Sequence, residues 1–532
     1  MAQFAPILLS ARGITSEREP TRLKTGHLLY GYNLDFTIPG LVQKPGGSAK
    51  SNSVAIPAAP AIMGGAEFWA TDALQRRVVA TADGKLYKDD LTGAFATTLA
   101  SGLDLSRVTY FAQGGLESTG RNRLLFAMNG YDKVQVLSAD GLTTSDLATP
   151  PADWNAASKG PAFMFRMMTS AGQMMVGGGT PTNLDYLYGS SAADHTVWTG
   201  TVLGFNVYPG LGRKLVAGRQ AFGRTWLWKW PRGIFWIDES AAAVTGWFAK
   251  IAHEQLGAAP TPWAVTQIMH EEQGGPVAFV NQAGQMFLME ETSGTLSGVN
   301  FVNLCARQNL NLIDTIATEF NKSRFNRVQL HWYEDKNLLI GLYAAIGASA
   351  ETRQLVIDMN DTPMRAHIST KDTNEAMWFE QDADGIPRPI IGDNAGFVWK
   401  LDQTTRTVDG AGYGLRLRTS PTDFSDVKPE WAVKKAFIRL HLEFEPVGNF
   451  DVTAKVYIDG VLKGTVTFNM GSAGSVLPFA LPGTLGGNEV RRRYKDIGAD
   501  GWSFSVEFTE SGVNNPRLCR AWVEFEPLGM VA

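Results

Sequence analysis

The chain of 532 residues has only two cysteines, Cys305 and Cys519, far apart in sequence. Two thiols in so long a chain exclude a disulfide framework. Both sit among apolar neighbours, which predicts buried free thiols. Histidine is scarce as well. His27, His195, His253, His270, His331, His367 and His441 never pair at helical or hairpin spacing. That excludes the usual zinc ligand sets. His270-Glu271-Glu272 begins like a zincin helix, but no second histidine follows four residues later. Long apolar runs are missing, since no window reaches the ~18 apolar residues of a membrane span. Residues 1–18 lack the basic start, apolar stretch and cleavage site of a signal peptide, so cytoplasmic synthesis is expected. Strong charge is absent too: the formal net charge is -4, which argues against a protein whose main task is to coat nucleic acid. Sustained 3.6-residue periodicity is missing, and only Asn311 to Phe320 reads as a short helix or an insertion.

Catalytic patterns are equally sparse. There is no Gly-x-Ser-x-Gly, and neither cysteine has a histidine close by in sequence. Gly177-Gly178-Gly179-Thr180 and Pro45-Gly46-Gly47-Ser48-Ala49-Lys50 are glycine-rich but fit neither phosphate-binding spacing, so they read as ordinary loops. Asp382-Ala383-Asp384-Gly385 starts like a calcium loop but lacks the later ligands and the closing glutamate; it reads as a polar hairpin turn. No catalytic residue, metal site or cofactor is indicated, and no enzyme is expected. Arg491-Arg492-Arg493-Tyr494-Lys495 is the one dense basic run. Arg491, Arg492, Arg493 and Lys495 are candidates for a subunit contact or a DNA contact. A solvated loop or subunit contact is favoured, because a DNA contact would work through phosphates alone.

What the chain does have is a phrase that returns. Ala82-Asp83-Gly84-Lys85-Leu86-Tyr87, Pro231-Arg232-Gly233-Ile234-Phe235-Trp236, Gln282-Ala283-Gly284-Gln285-Met286-Phe287 and Asn394-Ala395-Gly396-Phe397-Val398-Trp399 are each a glycine turn opening into an aromatic-rich β-type run. The glycines are spaced by multiples of about 50 to 56 residues, the period of a β-propeller blade. The predicted fold is all-β: a propeller of about seven blades over 61–410, then an antiparallel β-sandwich over 411–532. Blades are expected at 68–99, 108–136, 163–198, 215–248, 263–289, 328–359 and 376–401.

Residues 1–60 read as an N-terminal arm and linker, either a loose leader or an arm ordered against a partner. Gly26 to Phe36 can form one strand, Lys44-Pro45-Gly46-Gly47 breaks it, and Ser48 to Pro60 is rich in small residues. After Gly410 the runs Leu415 to Arg418, Ala436 to Phe444 and Val452 to Ile458 alternate as half-buried strands do, and Asp459-Gly460 marks a hairpin. Leu442-Glu443-Phe444-Glu445-Pro446-Val447-Gly448 and Val523-Glu524-Phe525-Glu526-Pro527-Leu528-Gly529 rhyme, which suggests equivalent strands of one sandwich.

This layout resembles the tail-nozzle, or tail-tube-end β-propeller, virion proteins of short-tailed bacteriophages. The likeness rests on Lys44-Pro45-Gly46 before the propeller and on Ser191, Asp194 and Trp198 after a blade strand. It rests also on Asp393-Asn394-Ala395-Gly396-Phe397-Val398-Trp399 closing the propeller, and on the two Phe-Glu-Pro segments of the sandwich. The resemblance implies a structural protein of the virion tail that forms a ring, often a homohexamer, and extends and gates the DNA ejection channel. It further implies contact with a ring-shaped tail adaptor protein and with fibres or a needle, and transient passage of double-stranded DNA. A different expectation competes: a carbohydrate-binding or glycoside-cleaving propeller, which requires an acidic or aromatic pocket on one face. Ser191, Asp194 and Trp198 faintly resemble the Asp-box of sialidases, but the internal glycine is missing. A peptide-binding scaffold of the Trp-Asp repeat type lacks its repeat ends here.

Overall fold

The structure, a computed structural model, describes all residues except 1, 10–11, 16–24, 72–73, 90–91, 106, 117–121, 139–140, 170–171, 200–202, 212, 242, 269–274, 294–296, 307, 361–363, 472–490 and 529–532. His270-Glu271-Glu272 and the final Gly529 of the second rhyming segment lie outside the described residues.

Antiparallel meanders occupy 62–100, 110–146, 163–206, 214–253, 265–303, 329–369 and 376–403. The first five each form a four-stranded sheet in sequence order, and the last two run in sequence order within larger sheets. The first strand of each meander contacts the first strand of the next. The first strand of the seventh, Ala376–Gln381, packs on that of the first, Ile62–Thr71, so the ring closes. This is a seven-bladed propeller. The expected blades fall short at their outer edges. The fourth strands Thr97–Ala100, Thr144–Asp146 and Gly204–Asn206 are short and largely exposed, so they carry no apolar alternation to read. The expected short helix is Ile313–Glu319, between the fifth and sixth blades. Among the described residues no helix is long and apolar enough to cross a membrane.

The recurring glycine phrase falls at one place, the turn between the second and third strands of blades one, four, five and seven. Gly284 and Gly396 take φ of 86° and 77°, a region that glycine enters without strain. In both turns a side chain three residues earlier holds the backbone. Asn281 Oδ1 accepts from the amides of Ala283 and Gln285, and Asp393 Oδ1 from those of Ala395 and Phe397. The polar residue starts the turn, the glycine reverses it, and the apolar run after it becomes the third strand.

Two sheets form the sandwich. One orders Gln3–Ile7, Arg517–Pro527, Lys435–Glu445 and Arg491–Gly501. The other orders Leu28–Tyr32, Leu415–Thr419, Phe504–Glu510, Asp451–Ile458 and Val461–Asn469. Val452, Ala454, Val456 and Ile458 alternate inward to meet Phe437, Leu440, Leu442 and Phe444. This core runs on without a break into Leu339, Leu355, Ile357 and Ile368 of the sixth blade. The strands that carry the two rhyming segments are direct neighbours, paired antiparallel with Phe437 opposite Phe525 and Phe444 opposite Leu518. Their Glu-Pro ends therefore lie at opposite ends of one ladder.

The N-terminal segment departs from its reading as arm and linker, because it is divided among three sheets of its own chain. Gln3–Ile7 is an outer strand of the sandwich, paired with Arg517–Pro527. Leu28–Tyr32 pairs with Leu415–Thr419 and meets the last strand of the sixth blade through Tyr32 and Ile368, so blade and sandwich share one continuous sheet. Gly47–Lys50 is the fourth strand of the seventh blade, paired with Val398–Gln403. The small-residue stretch from Ser48 conceals this strand because it has no apolar pattern.

Lys44-Pro45-Gly46-Gly47 is the junction. A Cβ at Gly46 would lie 2.3 Å from Asp402 Oδ1, and one at Gly47 would lie 2.2 Å from the Thr407 carbonyl oxygen, so both positions demand glycine. The Lys44 side chain is fully buried and reaches into the sandwich. It pairs with Glu510, donates to the Gly512 carbonyl at 2.7 Å and lies 5.1 Å from the centre of the Tyr413 ring. Tyr413 in turn donates its hydroxyl to the Pro45 carbonyl. Removing one partner of a buried ion pair leaves an uncompensated charge and costs roughly 3–5 kcal/mol. Lys44→Met is expected to lower stability in urea unfolding by about 3 kcal/mol, and the Lys44→Met/Glu510→Gln double variant to recover at least half of that loss. Equal losses in the two variants would show that the pair is not what Lys44 contributes.

Candidate functional site

The basic run lies on a strand, not in a loop. Among the described residues, Arg491–Gly501 is the edge of the first sandwich sheet, paired on one side only, with Lys435–Glu445. Alternation splits the run between two faces. Arg491, Arg493 and Lys495 stand opposite Phe444, Leu442 and Leu440, on the side that faces the second sheet. Arg493 donates to the Gly471 carbonyl at 2.8 Å and lies 5.8 Å from the Phe444 ring. Arg492 points to the outer face and stacks on Trp522 at 4.7 Å. Nearby on that face, Arg439 pairs with Asp496 at 2.9 Å and lies 4.8 Å from the Tyr494 ring. The four candidates thus do not form one flat phosphate-binding patch; they bracket an exposed sheet edge. The edge of the second sheet, Val461–Asn469, is also exposed and lies alongside. Tyr494, Trp502, Val461 and Leu462 are exposed apolar or aromatic side chains on these edges and at their ends.

The motif-like segments are structural. Asp194 Oδ1 accepts from the amide and hydroxyl of Thr196, and Ser191 Oγ accepts from the amide of Ala193. Trp198 is buried, donates to the His195 carbonyl at 2.9 Å and packs 4.7 Å from Trp154. His195 Nδ1 accepts from the Gly115 amide, so this turn ties the third blade to the second. Asp382 Oδ1 accepts from the amides of Asp384 and Ile386 and its Oδ2 from Arg388, the bonds of a polar hairpin. Among the described residues no group of three or more metal-capable side chains converges. Cys305 is buried, and burial pushes its thiol up to about 12. Cys519 departs from expectation: it is only half-buried, on the sandwich strand next to the outermost N-terminal strand.

Two clusters escape any sequence motif. The first lies on the propeller axis. The innermost strands of six blades line a cavity of about 360 Å³. Gly65 is the reason the rings can enter: a Cβ there would lie 2.5 Å from the Trp378 ring. Tyr110 and Trp263 meet edge-on with centroids 5.3 Å apart, and Trp263 lies 5.5 Å from His331. Arg219 lies 5.7 Å from the Tyr110 ring and donates to the carbonyls of Gly218 and Val265, both at 2.7 Å. His331 is neutral across the physiological range, because burial, aided by Arg219, pushes it down to about 3. Glu67 accepts from the Gln381 amide at 3.1 Å, and burial raises its carboxyl. A sequence signal for this site exists in principle: aromatic and polar residues at equivalent depths of successive first strands. It becomes readable only after the blades are aligned.

The second cluster joins the sixth and seventh blades. Arg324 holds Glu351 with two bonds of 2.9 Å, and Arg327 meets Glu375 at 3.2 Å. Both carboxylates are buried, and Arg327 also reaches Met63 of the first blade. Burial, reinforced by a shared hydrogen bond with Glu351, pushes Glu375 up to about 8. A carboxyl raised in the folded state binds more protons folded than unfolded. Its stabilising effect is complete below the unfolded value near 4.5 and is lost as pH rises through about 8. Stability is therefore expected to fall between pH 5 and 8 by about 1 kcal/mol or more. Glu375→Gln should flatten that slope in urea melts recorded across this range; an unchanged slope would place the titration elsewhere.

No family model matches the chain, and no curated protein matches it. Solved structures do resemble it. BBS1N, from a crystal structure in complex with ARL6DN, is similar at 13% identity and a TM-score of 0.40, covering 68% of this chain and 98% of that one. YCF48 from Cyanidioschyzon merolae is similar at 8% identity and a TM-score of 0.40, covering 67% of this chain and 98% of its own. The computationally designed protein Ika8 is similar at 12% identity and a TM-score of 0.36, covering 66% of this chain and 99% of that one.

Proposed function

We propose that this chain is a structural virion protein that forms a ring at the distal end of a phage tail, where it extends and gates the DNA ejection channel. The observation that supports this best is the open side of the sandwich. Two neighbouring edge strands, Val461–Asn469 and Arg491–Gly501, expose the basic side chains of Arg491, Arg492 and Lys495, and Trp502 is exposed beside them. Exposed edges invite pairing with another chain. An interface of this kind that is repeated head to tail and closes by rotation gives a ring, and a homohexamer is the expected form. The rest of the molecule suits such a role: a propeller continuous with a sandwich makes a stiff wall segment. A net charge near zero lets double-stranded DNA pass without being held. The adaptor ring above, and fibres or a needle beside it, are the partners this reading expects.

The test is to sediment particles from an infected lysate, blot for the chain and locate it by gold-labelled antibody. Label at the tail tip supports the reading, and a chain that remains in the soluble fraction contradicts it. On the purified chain, charge reversal at Arg491, Arg492 and Lys495 to Glu is expected to weaken ring assembly at least about tenfold in native mass spectrometry. The thermal midpoint should stay unchanged, because these side chains are exposed. A separate observation, the aromatic pocket on the propeller axis, favours carbohydrate binding as a second property of the same chain.

A further inference from the structure

We propose that the axial cavity of the propeller binds a neutral saccharide unit. The cavity is bounded by the first strands of the blades and holds about 360 Å³, the lower end of the usual range for small-molecule sites. That volume suits roughly one or two sugar rings. Its walls combine two features. Tyr110, Trp263 and Phe379 supply ring surfaces. Between them stand polar groups: the Gln113 amide, the Thr266 hydroxyl and the Glu67 carboxylate.

This pairing selects a ligand class by exclusion. A purely apolar guest would desolvate the Thr266 hydroxyl, and with it the Gln113 amide, which donates to the Glu67 carbonyl at 2.9 Å, and the Glu67 carboxylate, which accepts from Gln75 and the Gln381 amide, a loss that no contact with the rings offsets. A phosphate or carboxylate would meet Glu67 across a pocket whose histidine, His331, is buried and neutral. Arg219, the cation of the pocket, already donates to two carbonyls and lies over Tyr110. A cationic guest would face the Arg219 guanidinium. A pyranose has one face of C–H groups that lies on an aromatic ring and a rim of hydroxyls that both donate and accept. It alone among these classes uses the rings and the polar groups together.

The site is rigid, because neighbouring first strands set its width. The Trp378 ring lies on Gly65, and the Phe165 ring lies where a Cβ at Gly218 would stand, 2.1 Å away. A preformed pocket loses little freedom on binding.

The experiment is saturation-transfer NMR on the full chain with glucose, galactose, mannose and N-acetylglucosamine at millimolar concentration, with inorganic phosphate as a competitor. The expected result is transfer to the ring C–H protons of at least one sugar, undisturbed by phosphate. Trp263→Ala is expected to weaken binding about tenfold, the loss typical of one aromatic contact. Thr266→Trp fills the pocket without removing any wall and is expected to abolish transfer; it decides the matter if Trp263→Ala does not fold. Silence with all four sugars overturns the proposal. So does transfer that survives in Thr266→Trp, or displacement of the sugar by phosphate.

Discussion

The rest of the structure depends on three N-terminal strands, Gln3–Ile7, Leu28–Tyr32 and Gly47–Lys50, completing sheets built by other parts of the chain. A ring of blades must close somewhere, and the seventh blade supplies only three strands from its own stretch of chain. Gly47–Lys50 adds the fourth and so joins the beginning of the propeller to its end. The same segment binds the sandwich in two further places, through Gln3–Ile7 and Leu28–Tyr32. Lys44 locks the junction, because its charge is buried against Glu510 and opposite chain ends must meet for that pair to exist. The two domains that sequence separates are therefore one mechanical unit. A loop of several hundred residues is closed by a short ladder. Closure entropy grows only slowly with length, so a few backbone bonds and one buried charge pair are enough.

A second constraint follows inside the ring. Seven first strands crowd one axis, and at two places a large ring packs there against a glycine of a neighbouring strand. Gly65 under Trp378 and Gly218 beside Phe165 are such places. The glycines thus do two jobs. At the outer turns they reverse the chain, and on the axis they admit rings. The axial cavity is the residue of that packing, shaped by large side chains that interlock around it.

Much of the architecture was legible in the sequence. Four copies of the glycine phrase marked four equivalent turns because in each a positive-φ glycine reverses the chain into an apolar strand, with an Asx-type start added at Asn281 and Asp393. Clean alternation marked the sandwich, since each of its sheets has one face buried. What was not legible has physical causes. The outer strands of the blades are short and exposed, so nothing in their side chains distinguishes them from loops. Gly47–Lys50 is made of small residues and becomes a strand only because Val398–Gln403 waits for a partner. Arg491 to Lys495 was readable as a basic run, but not as an edge strand whose alternation sends Arg492 to one face and Arg493 to the other. The Glu351–Glu375 pair and the axial rings come from positions far apart in sequence, and no local pattern announces them.

Native-state hydrogen exchange on the intact chain tests the closure most directly. If the N-terminal strands complete both domains, the amides of Gly47–Lys50 and Gln3–Ile7 that bond to Val398–Gln403 and Arg517–Pro527 exchange as slowly as those partners. They should also exchange through the same cooperative opening. Exchange within minutes at these amides, with the partner strands still protected, would contradict the account and leave the propeller closed by something other than its own N-terminus.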